Sequence, residues 1–433
     1  MSSSSFGLPQ ELFLDILFRL PIEDLVRCTA VCKPWNSSIK NPTFISTHLE
    51  KAISSNNSST DNRRLLFRLC TTQPKPNPID KSDVAYVEHY SLRFDNKNVA
   101  EYKQLHFPAN KFRSVDGCFR IAGSYNGLVC LVDDMTCYAD HFILWNPTIQ
   151  KAVRTARPTV NYFSHGPFEA FHGFGFDSET NDYKLLRYVH LDHNRKFEVI
   201  VEAEVYSLNS NSWKVITDIT PSYGICSPFR KIYGNSFVNG AIHLLAYDRK
   251  EGYGYMARHR NLILAYDVSR EVFREMELPD YFSDEYVRLN DTEILKYGES
   301  SIAVMTDDSE RREIYLWVMK EYGEASSWTK VWVEDWWGSV LKVLSFRNNE
   351  EVFVIMRDGW IGLCDLKRKH FEYVGDEGDG VQSILSRRGY PAVDSFVESL
   401  VLLDKATPLW NVIDASSSPD VDDDDDDDDS SDE

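Results

Sequence analysis

One structural unit recurs along most of the chain: an apolar strand that ends in an aromatic residue and a polar turn, and then a second strand that contains Trp, Phe or Val. The copies are FILWNPTIQKAV (142–153), EVYSLNSNSWKV (204–215), LAYDVSREVFREM (264–276), YLWVMKEYGEASSWTKV (315–331) and GLCDLKRKHFEYV (362–374). A hairpin alone cannot bury its apolar face, whereas four-stranded blades stacked in a ring can. The repeat therefore predicts a β-propeller, and a large irregular β-sandwich is the alternative architecture.

The spacing of the copies supports blades of several strands each. The anchor positions of successive copies are separated by 61, 60, 51 and 47 residues, and they are Trp145, Tyr206, Tyr266, Trp317 and Cys364. Periods of this length suit propeller blades better than helical solenoids. Runs with period-two alternation predict strands at Ala85–Phe94, Gly127–Val132, Phe142–Asn146, Lys184–Val189, Glu202–Tyr206, Ala241–Ala246, Leu262–Asp267, Ser301–Met305, Ile314–Trp317, Glu351–Met356 and Gly359–Cys364.

The number of short runs also predicts the size and the closure of the ring. About two dozen candidate strands lie between residues 65 and 403, which corresponds to about six blades. The final run, SFVESLVLL at 395–403, is predicted to pair with an early strand and to close the ring.

The first fifty residues have a helical pattern with a wide apolar surface. Residues 8–20, LPQELFLDILFRL, predict a helix that begins near Pro9 and ends before Pro21. On a helical wheel its apolar side chains spread over roughly 240°, whereas a helix that lies on one core needs an apolar stripe of about 100°. The excess apolar surface indicates that a second protein covers part of this helix.

Two further helices follow in the pattern. Asp24 is a candidate cap for a helix over residues 25–32, and Pro34 can open a third helix that carries Trp35. A three-helix unit of about 40 residues is near the lower size limit for independent folding. The unit must therefore bury apolar surface against another polypeptide, and packing against the rest of the same chain is the alternative.

The string LPxELxxxILxRLPxxDLVRCxxVCKxWNxxI, which runs from Leu8 to Ile39, resembles the F-box. The resemblance implies docking to the Skp-type adaptor of a cullin–RING ubiquitin ligase of the SCF type. The adaptor-facing positions of the family fall here on Leu8, Pro9, Leu12, Ile16, Leu17, Leu20, Leu25, Cys28, Val31, Cys32 and Trp35. No His or third Cys lies near Cys28 and Cys32, so packing explains this pair better than metal binding.

The β-rich region resembles the F-box-associated, kelch-like domain of plant F-box proteins, a pattern shared with S-locus and defence-regulating receptors. The blocks that carry the resemblance are GSYNGLVCL (123–131), LWNPT (144–148), FGFDSETNDYKLLR (174–187), EVYSLNSNSWK (204–214) and ESLVLL (398–403). The double glycine of kelch repeats is missing, which disfavours a true kelch propeller. Gly127 and Pro147 are expected to set turns, and Trp145 and Trp213 are large enough to fill space between blades.

Charge and composition exclude several classes of partner and location. The chain contains 47 Lys and Arg residues and 67 Asp and Glu residues, which gives a formal net charge of −20. Eleven of the 67 acidic residues lie in residues 415–433. Nucleic acid and anionic membranes both favour a positive surface, so neither is predicted as a partner. The chain contains no secretory signal pattern, no CxxC pair and no apolar run of about 18 residues. These features predict a cytoplasmic or nuclear protein with reduced thiols.

The sequence contains no recognised signature of catalysis or cofactor binding. The phosphate-binding GxxxxGK[ST], the GxSxG elbow and the HExxH zinc motif are all absent. His190 and His193 share the spacing of some metal pairs, but their stretch has the pattern of a solvated loop, so no metal or cofactor is predicted. Trp332, Trp336 and Trp337 are candidates either for burial between blades or for a loop that binds a partner.

These observations divide the chain into four parts: an F-box module (1–52), a linker rich in Ser, Asn and Pro (53–83), a β-propeller-like domain (84–404) and an acidic tail (405–433) that is predicted to be disordered. The family resemblance implies a substrate receptor without catalytic residues, whose β-domain binds a target protein. No motif marks the residues that contact the target. The alternatives are a scaffold that binds the adaptor without target turnover and a propeller enzyme.

Overall fold

The computed structural model describes residues 9–58, 63–74, 84–108, 112, 114, 118–133, 141–191, 199–225, 236–249, 258–284, 287, 289, 291–308, 311, 313–335, 340–375 and 391–405. In these ranges a helical N-terminal module precedes strands that form six antiparallel sheets. Predictions for Leu8, His193, Trp336, Trp337 and the acidic tail beyond Lys405 concern residues outside the described ranges. None of the described helices is long and apolar enough to cross a membrane.

The helices of the N-terminal module are α1 (Gln10–Leu17), α2 (Ile22–Cys28), α3 (Lys33–Ile39) and α4 (Pro42–Ser58). Pro9 and Pro21 precede α1 and α2, and Pro34 lies in the first turn of α3. Proline suits these positions because the first turn of a helix needs no backbone N–H bond. The predicted start of the second helix after Asp24 is wrong, since Pro21 already sets it. The prediction of three helices also misses α4.

The six sheets are blades I to VI of a propeller, which confirms the predicted mainly β fold and blade number. Blades I to III contain β1 (Arg64–Pro74), β2 (Val84–Phe94) and β3 (Glu101–Leu105); β4 (Arg120–Tyr125), β5 (Leu128–Val132), β6 (Phe142–Asn146) and β7 (Lys151–Arg154); and β8 (Phe168–Asp177), β9 (Asp182–Leu191), β10 (Ile200–Ser207) and β11 (Ser212–Val215). A short helix, α5 (Tyr162–His165), connects blades II and III.

Blades IV to VI complete the ring. They contain β12 (Gly224–Ile225), β13 (Phe237–Val238), β14 (Ala241–Arg249), β15 (His259–Asp267) and β16 (Val272–Met276); β17 (Thr292–Tyr297), β18 (Ser301–Asp308), β19 (Glu313–Met319) and β20 (Trp328–Asp335); and β21 (Val340–Phe346), β22 (Glu351–Met356), β23 (Ile361–Asp365) and β24 (His370–Tyr373). The last strand, β25 (Ala392–Phe396), returns to blade I.

The repeated unit of the sequence is the outer hairpin of a blade. Its five copies correspond to β6–β7, β10–β11, β15–β16, β19–β20 and β23–β24, each paired in antiparallel register. The five anchor side chains are all at most 4% exposed. Each unit therefore supplies one buried anchor side chain to its blade, aromatic in four copies and Cys364 in the fifth.

The ring closes because the two ends of the β-domain share one blade. The β25 strand pairs with β1 in a ladder from Arg64 opposite Phe396 to Arg68 opposite Ala392. This pairing confirms the predicted closure, although the strand ends at Phe396 and residues 397–403 are not part of it. Within the predicted linker (53–83), residues 53–58 are helical and residues 64–74 form β1. The β1 strand supplies the partner that β25 requires.

Two hairpin turns depend on glycine. Asn126 and Gly127, between β4 and β5, have φ values of 53° and 80°, and Asn239 and Gly240, before β14, have φ values of 50° and 74°. Two successive residues with positive φ are typical of the type I′ turn, for which Asn-Gly is the preferred pair. These turns confirm the expectation for Gly127.

Blades IV and V are joined by a buried histidine. His243 on β14 is fully buried; its Nδ1 lies 2.7 Å from the Ser236 carbonyl oxygen and its Nε2 lies 2.8 Å from the Tyr322 hydroxyl. A carbonyl oxygen can only accept, so Nδ1 donates to it. Burial lowers the pKa of His243 to about 4, so the ring is neutral at neutral pH and Nε2 accepts from the Tyr322 hydroxyl.

We expect His243 to make the propeller sensitive to mild acid. The folded pKa lies below the ordinary value of 6.5, so the unfolded state binds the proton first as the pH falls. The contribution of neutral His243 is complete above pH 6.5 and is lost between pH 6.5 and 4, at a cost of about 3 kcal/mol. Urea unfolding of the His243→Gln variant should show a flatter pH dependence across this window. The matched control His370→Gln removes an exposed histidine and should keep the wild-type slope.

Candidate functional site

The apolar side chains of the helical module point in two directions. Leu17, Leu25 and Ile39 are completely buried. In contrast, Leu12 is 54% exposed, Ile16 is 50% exposed and Val31 is 61% exposed. We call these last three residues the N-terminal apolar face. Because Leu12 and Ile16 are four residues apart, they lie on the same side of α1.

The buried side of the module packs on the propeller. Leu17, Leu25 and Ile39 belong to one apolar cluster that also contains Phe44, Ile45 and Leu49 of α4, side chains of blades II and III, and Leu400, Val401, Leu402 and Leu403. A salt bridge of 2.6 Å between Lys103 Nζ on β3 and Glu23 Oε1 on α2 connects the same two parts. Packing within the chain therefore accounts for one side of the helices and leaves the N-terminal apolar face uncovered.

The predicted adaptor-facing residues fall into three groups. Pro9, Leu12, Ile16 and Val31 are exposed; Leu20, Cys28, Cys32 and Trp35 are half-buried; Leu17 and Leu25 are buried; and Leu8 lies outside the described ranges. The half-buried Trp35 is held by Phe13, whose ring centroid is 5.3 Å away in an edge-on arrangement. Leu17 and Leu25 consequently support the module from within, and the exposed group is the part that is available to a partner.

Polar pairs border the N-terminal apolar face. Arg19 lies 2.8 Å from Asp15 and Arg27 lies 3.0 Å from Asp24, and all four side chains are largely exposed. Exposed pairs of this kind add little stability, typically about 0–1 kcal/mol. An apolar centre with a polar rim is nevertheless the usual anatomy of a protein–protein interface.

Stacked aromatic rings stabilise the packing of α4 against the end of α1. The rings of Phe18 and Phe44 are 4.5 Å apart and nearly parallel, and Lys51 Nζ lies 4.1 Å from the centroid of the Phe18 ring. Offset ring pairs and cation–π contacts each contribute about 0.5–1.5 kcal/mol. These contacts join α4 to the end of α1, so that the exposed side of α1 is presented on a firm support.

The described residues contain no group of three or more His, Cys, Asp or Glu side chains that could hold a metal ion. The predicted loop position of His190 is wrong, because this residue lies on β9, where it pairs with Val201. All the other residues of this strand are buried, and His190 is partly exposed. Trp332 is 2% exposed, which favours burial between blades for this member of the tryptophan cluster.

One exposed aromatic group has no signal in the sequence. Phe163 on α5 is 77% exposed and its neighbour Tyr162 is 41% exposed. The α5 helix has only four residues, and its sequence has the composition of an ordinary loop. Neither periodicity nor a motif could therefore identify this aromatic pair.

Comparison with known proteins identifies both parts of the chain. A family model described as the F-box associated β-propeller domain matches residues 82–403, and an F-box-like model matches residues 6–49. The F-box protein CPR1 of Arabidopsis thaliana is 26% identical over 345 residues, which cover 75% of this chain and 72% of that protein. A probable F-box protein of the same plant is 25% identical over 407 residues, with coverage of 91% and 86%. Among solved structures, an oligogalacturonate lyase with manganese covers 74% of this chain at 8% identity and a TM-score of 0.39, too low to support an argument.

Proposed function

Because the chain belongs to the F-box proteins that carry an F-box associated β-propeller domain, we propose that it is the substrate-recognition subunit of an SCF-type cullin–RING ubiquitin ligase. The helical module binds the Skp-type adaptor, and the propeller binds a target protein. The complex acts in the cytoplasm, the nucleus or both.

The observation that carries this proposal is the exposure of the N-terminal apolar face in a helical module that fully buries Leu17 and Leu25. Leu12 and Leu17 belong to the same helix, yet one is 54% exposed and the other is fully buried. Complete burial of an exposed aliphatic side chain of this size contributes about 1.5–3 kcal/mol to the free energy of binding. Several such side chains beside a polar rim are therefore suited to bind a second protein, and the F-box match supports the Skp-type adaptor as that protein.

The proposed receptor contributes binding rather than chemistry to ubiquitin transfer. Holding a target close to a charged ubiquitin-conjugating enzyme replaces a bimolecular encounter by an intramolecular one, which raises the effective concentration to the millimolar range or above. The bond-forming groups then belong to the other subunits of the ligase. This chain supplies two binding surfaces and the structure that separates them.

Adaptor binding tests the proposal directly. We expect the full chain with Leu12→Asp and Ile16→Asp to bind the purified Skp-type adaptor at least about 100-fold more weakly than wild type, because two anchor side chains are replaced by charges that binding would bury. Isothermal titration or co-purification of the two full-length proteins provides the measurement.

Two controls make the result interpretable. Phe163→Asp changes a more exposed apolar residue on the propeller and should leave adaptor affinity unchanged. Leu17→Asp changes a fully buried residue, and it should lower the melting temperature as well as affinity, unlike the exposed double variant. Wild-type affinity in the folded Leu12→Asp, Ile16→Asp variant would rule out the N-terminal apolar face as the adaptor site.

A further inference from the structure

Residues 397–405 follow β25 and lie against blade II, and we call them the C-terminal strap. At Gly127, with φ of +80°, an added Cβ would lie 2.4 Å from Ser399 Oγ and 2.6 Å from the Val397 carbonyl oxygen. Contacts this short are not possible for a side chain, so only glycine allows the strap to lie against the turn between β4 and β5. The sequence block around this glycine therefore has a second purpose besides the turn.

Asn146 at the end of β6 fastens the strap from the other side. Its Nδ2 donates to the carbonyl oxygens of Ser399, at 3.0 Å, and Val401, at 2.8 Å, while its Oδ1 accepts from the backbone N–H of Thr148 at 3.0 Å. Asn146 and Ser399 are both completely buried. Buried hydrogen bonds to backbone carbonyls of this kind are expensive to lose, because each carbonyl is then left without a partner.

Three separated sequence blocks thus meet at one point. Gly127 comes from GSYNGLVCL, Asn146 from LWNPT and Ser399 from ESLVLL. The far end of the strap is also held, since the Lys151 ammonium on β7 donates to the carbonyl oxygen of Lys405. The first two blocks therefore form the site on blade II that binds the strap, and the third block is part of the strap itself.

The apolar side chains of the strap belong to the cluster that joins the helical module to the propeller. Leu400, Val401, Leu402 and Leu403 are at most 8% exposed, and they share one apolar cluster with Leu17, Leu25 and Ile39 of the module. Glu398 lies close to the salt bridge between Glu23 and Lys103, and burial together with the Glu23 carboxylate raises its pKa. The strap is therefore hydrogen-bonded to the propeller through its backbone, and its side chains belong to the apolar cluster shared by the propeller and the module.

We propose that the C-terminal strap is the positioning element of the receptor, which fixes the F-box module in one orientation on the propeller. This proposal rests on the function proposed above, because orientation matters only if the two parts bind different proteins. A fixed geometry concentrates the bound target at one place relative to the ubiquitin-conjugating enzyme, whereas a loose connection spreads it over many positions. The strap would then determine where the bound target lies for ubiquitin transfer, although it contacts neither the adaptor nor the target.

The salt bridge between Glu23 and Lys103 is a natural reporter of this orientation. Both side chains are partly accessible and their charged atoms are 2.6 Å apart. A water-soluble carbodiimide activates the Glu23 carboxylate, and the Lys103 amine displaces the activating group to form an amide. Mass spectrometry of the digested full chain then measures the cross-linked fraction.

We expect Asn146→Ala to lower the Glu23–Lys103 cross-linked fraction at least about fivefold. The matched control is Asp365→Ala on blade VI, because Asp365 accepts from the backbone N–H groups of Lys367 and Arg368 at 2.9 Å each, as Asn146 does in its own turn. The control loses the same kind of turn bond without releasing the strap, so it should keep the wild-type fraction. A second variant, Leu400→Ala with Leu403→Ala, changes the strap alone and should match Asn146→Ala.

Hydrogen exchange of the strap amides completes the test. Faster exchange at residues 399–403 together with the lost cross-link supports the proposal. Faster exchange in either folded variant with an unchanged cross-link would overturn it, because the module would then hold its orientation without the strap. The experiment uses the chain without the adaptor, so a failure of adaptor binding overturns the proposed function and leaves this result interpretable.

Discussion

A chain that ends after residue 390 should not fold cooperatively. It lacks β25, which closes the ring through its ladder with β1. Val393 and Phe396 are 5% and 3% exposed, and they join clusters that also contain Leu65, Leu66 and Phe67. Losing two such side chains and an inner strand removes on the order of 5 kcal/mol or more, which is comparable to the whole stability of an ordinary domain.

Two longer chains serve as controls for this truncation. A chain that ends after Lys405 retains all the described contacts and should melt as wild type does. A chain that ends after Phe396 retains the closing strand and loses only the strap, so its propeller should still unfold in one transition. Near-ultraviolet circular dichroism during thermal unfolding distinguishes these cases, and a sharp native transition in the chain that ends at 390 would contradict the assigned role of β25.

Two neighbouring strands of blade III are joined by a buried salt bridge. Arg187 on β9 and Glu204 on β10 lie opposite each other, 2.8 Å apart, and neither side chain is exposed. The second oxygen of Glu204 accepts from the backbone N–H of Thr159 at 2.8 Å, and the Arg187 guanidinium lies 4.9 Å from the ring centroid of Phe168. The pair thus also fastens the segment that leads from blade II into blade III.

We expect Glu204→Ala to destabilise the propeller by about 3–5 kcal/mol, because the guanidinium is left buried without its counter-charge. The double variant Arg187→Met, Glu204→Leu should be less destabilised than Glu204→Ala, since neither charge remains. Equilibrium urea unfolding measures both. The matched control is Glu350→Ala, which breaks an exposed pair with Lys367 and should cost less than about 1 kcal/mol. A double variant that is destabilised as much as Glu204→Ala, or more, would contradict this account.

The outer hairpins of the propeller could be predicted from the sequence because each of the five copies carries its own signal: an apolar run, a polar turn and a buried anchor. The inner strands have no such signal, because polar side chains that pair between blades interrupt their apolar pattern. Glu293 on β17 pairs with Lys342 on β21, and Ser124 on β4 donates to Asp394 on β25 at 2.5 Å. The partner of each of these residues lies in another blade, so the sequence of a single strand cannot reveal the pairing.

The same limit applies to the helical module. The F-box pattern correctly identified the family. The width of the apolar surface on α1 predicts a second protein as a packing partner, and this stays a prediction. The sequence could not separate Leu12 from Leu17, although one is exposed and the other is buried. That separation depends on α4, which belongs to the same module, and on Leu400 to Leu403, which lie hundreds of residues later. Both cover only one side of the helix.

The shared blade also has a consequence for synthesis. Arg68 pairs with Ala392, 324 residues further along the chain, and ribosomes add about 5–20 residues per second. One edge of β1 in the nascent chain consequently waits for roughly 15–65 s without its strand. An open strand edge is a template for association with other chains, so this interval is when the growing polypeptide most needs protection by chaperones.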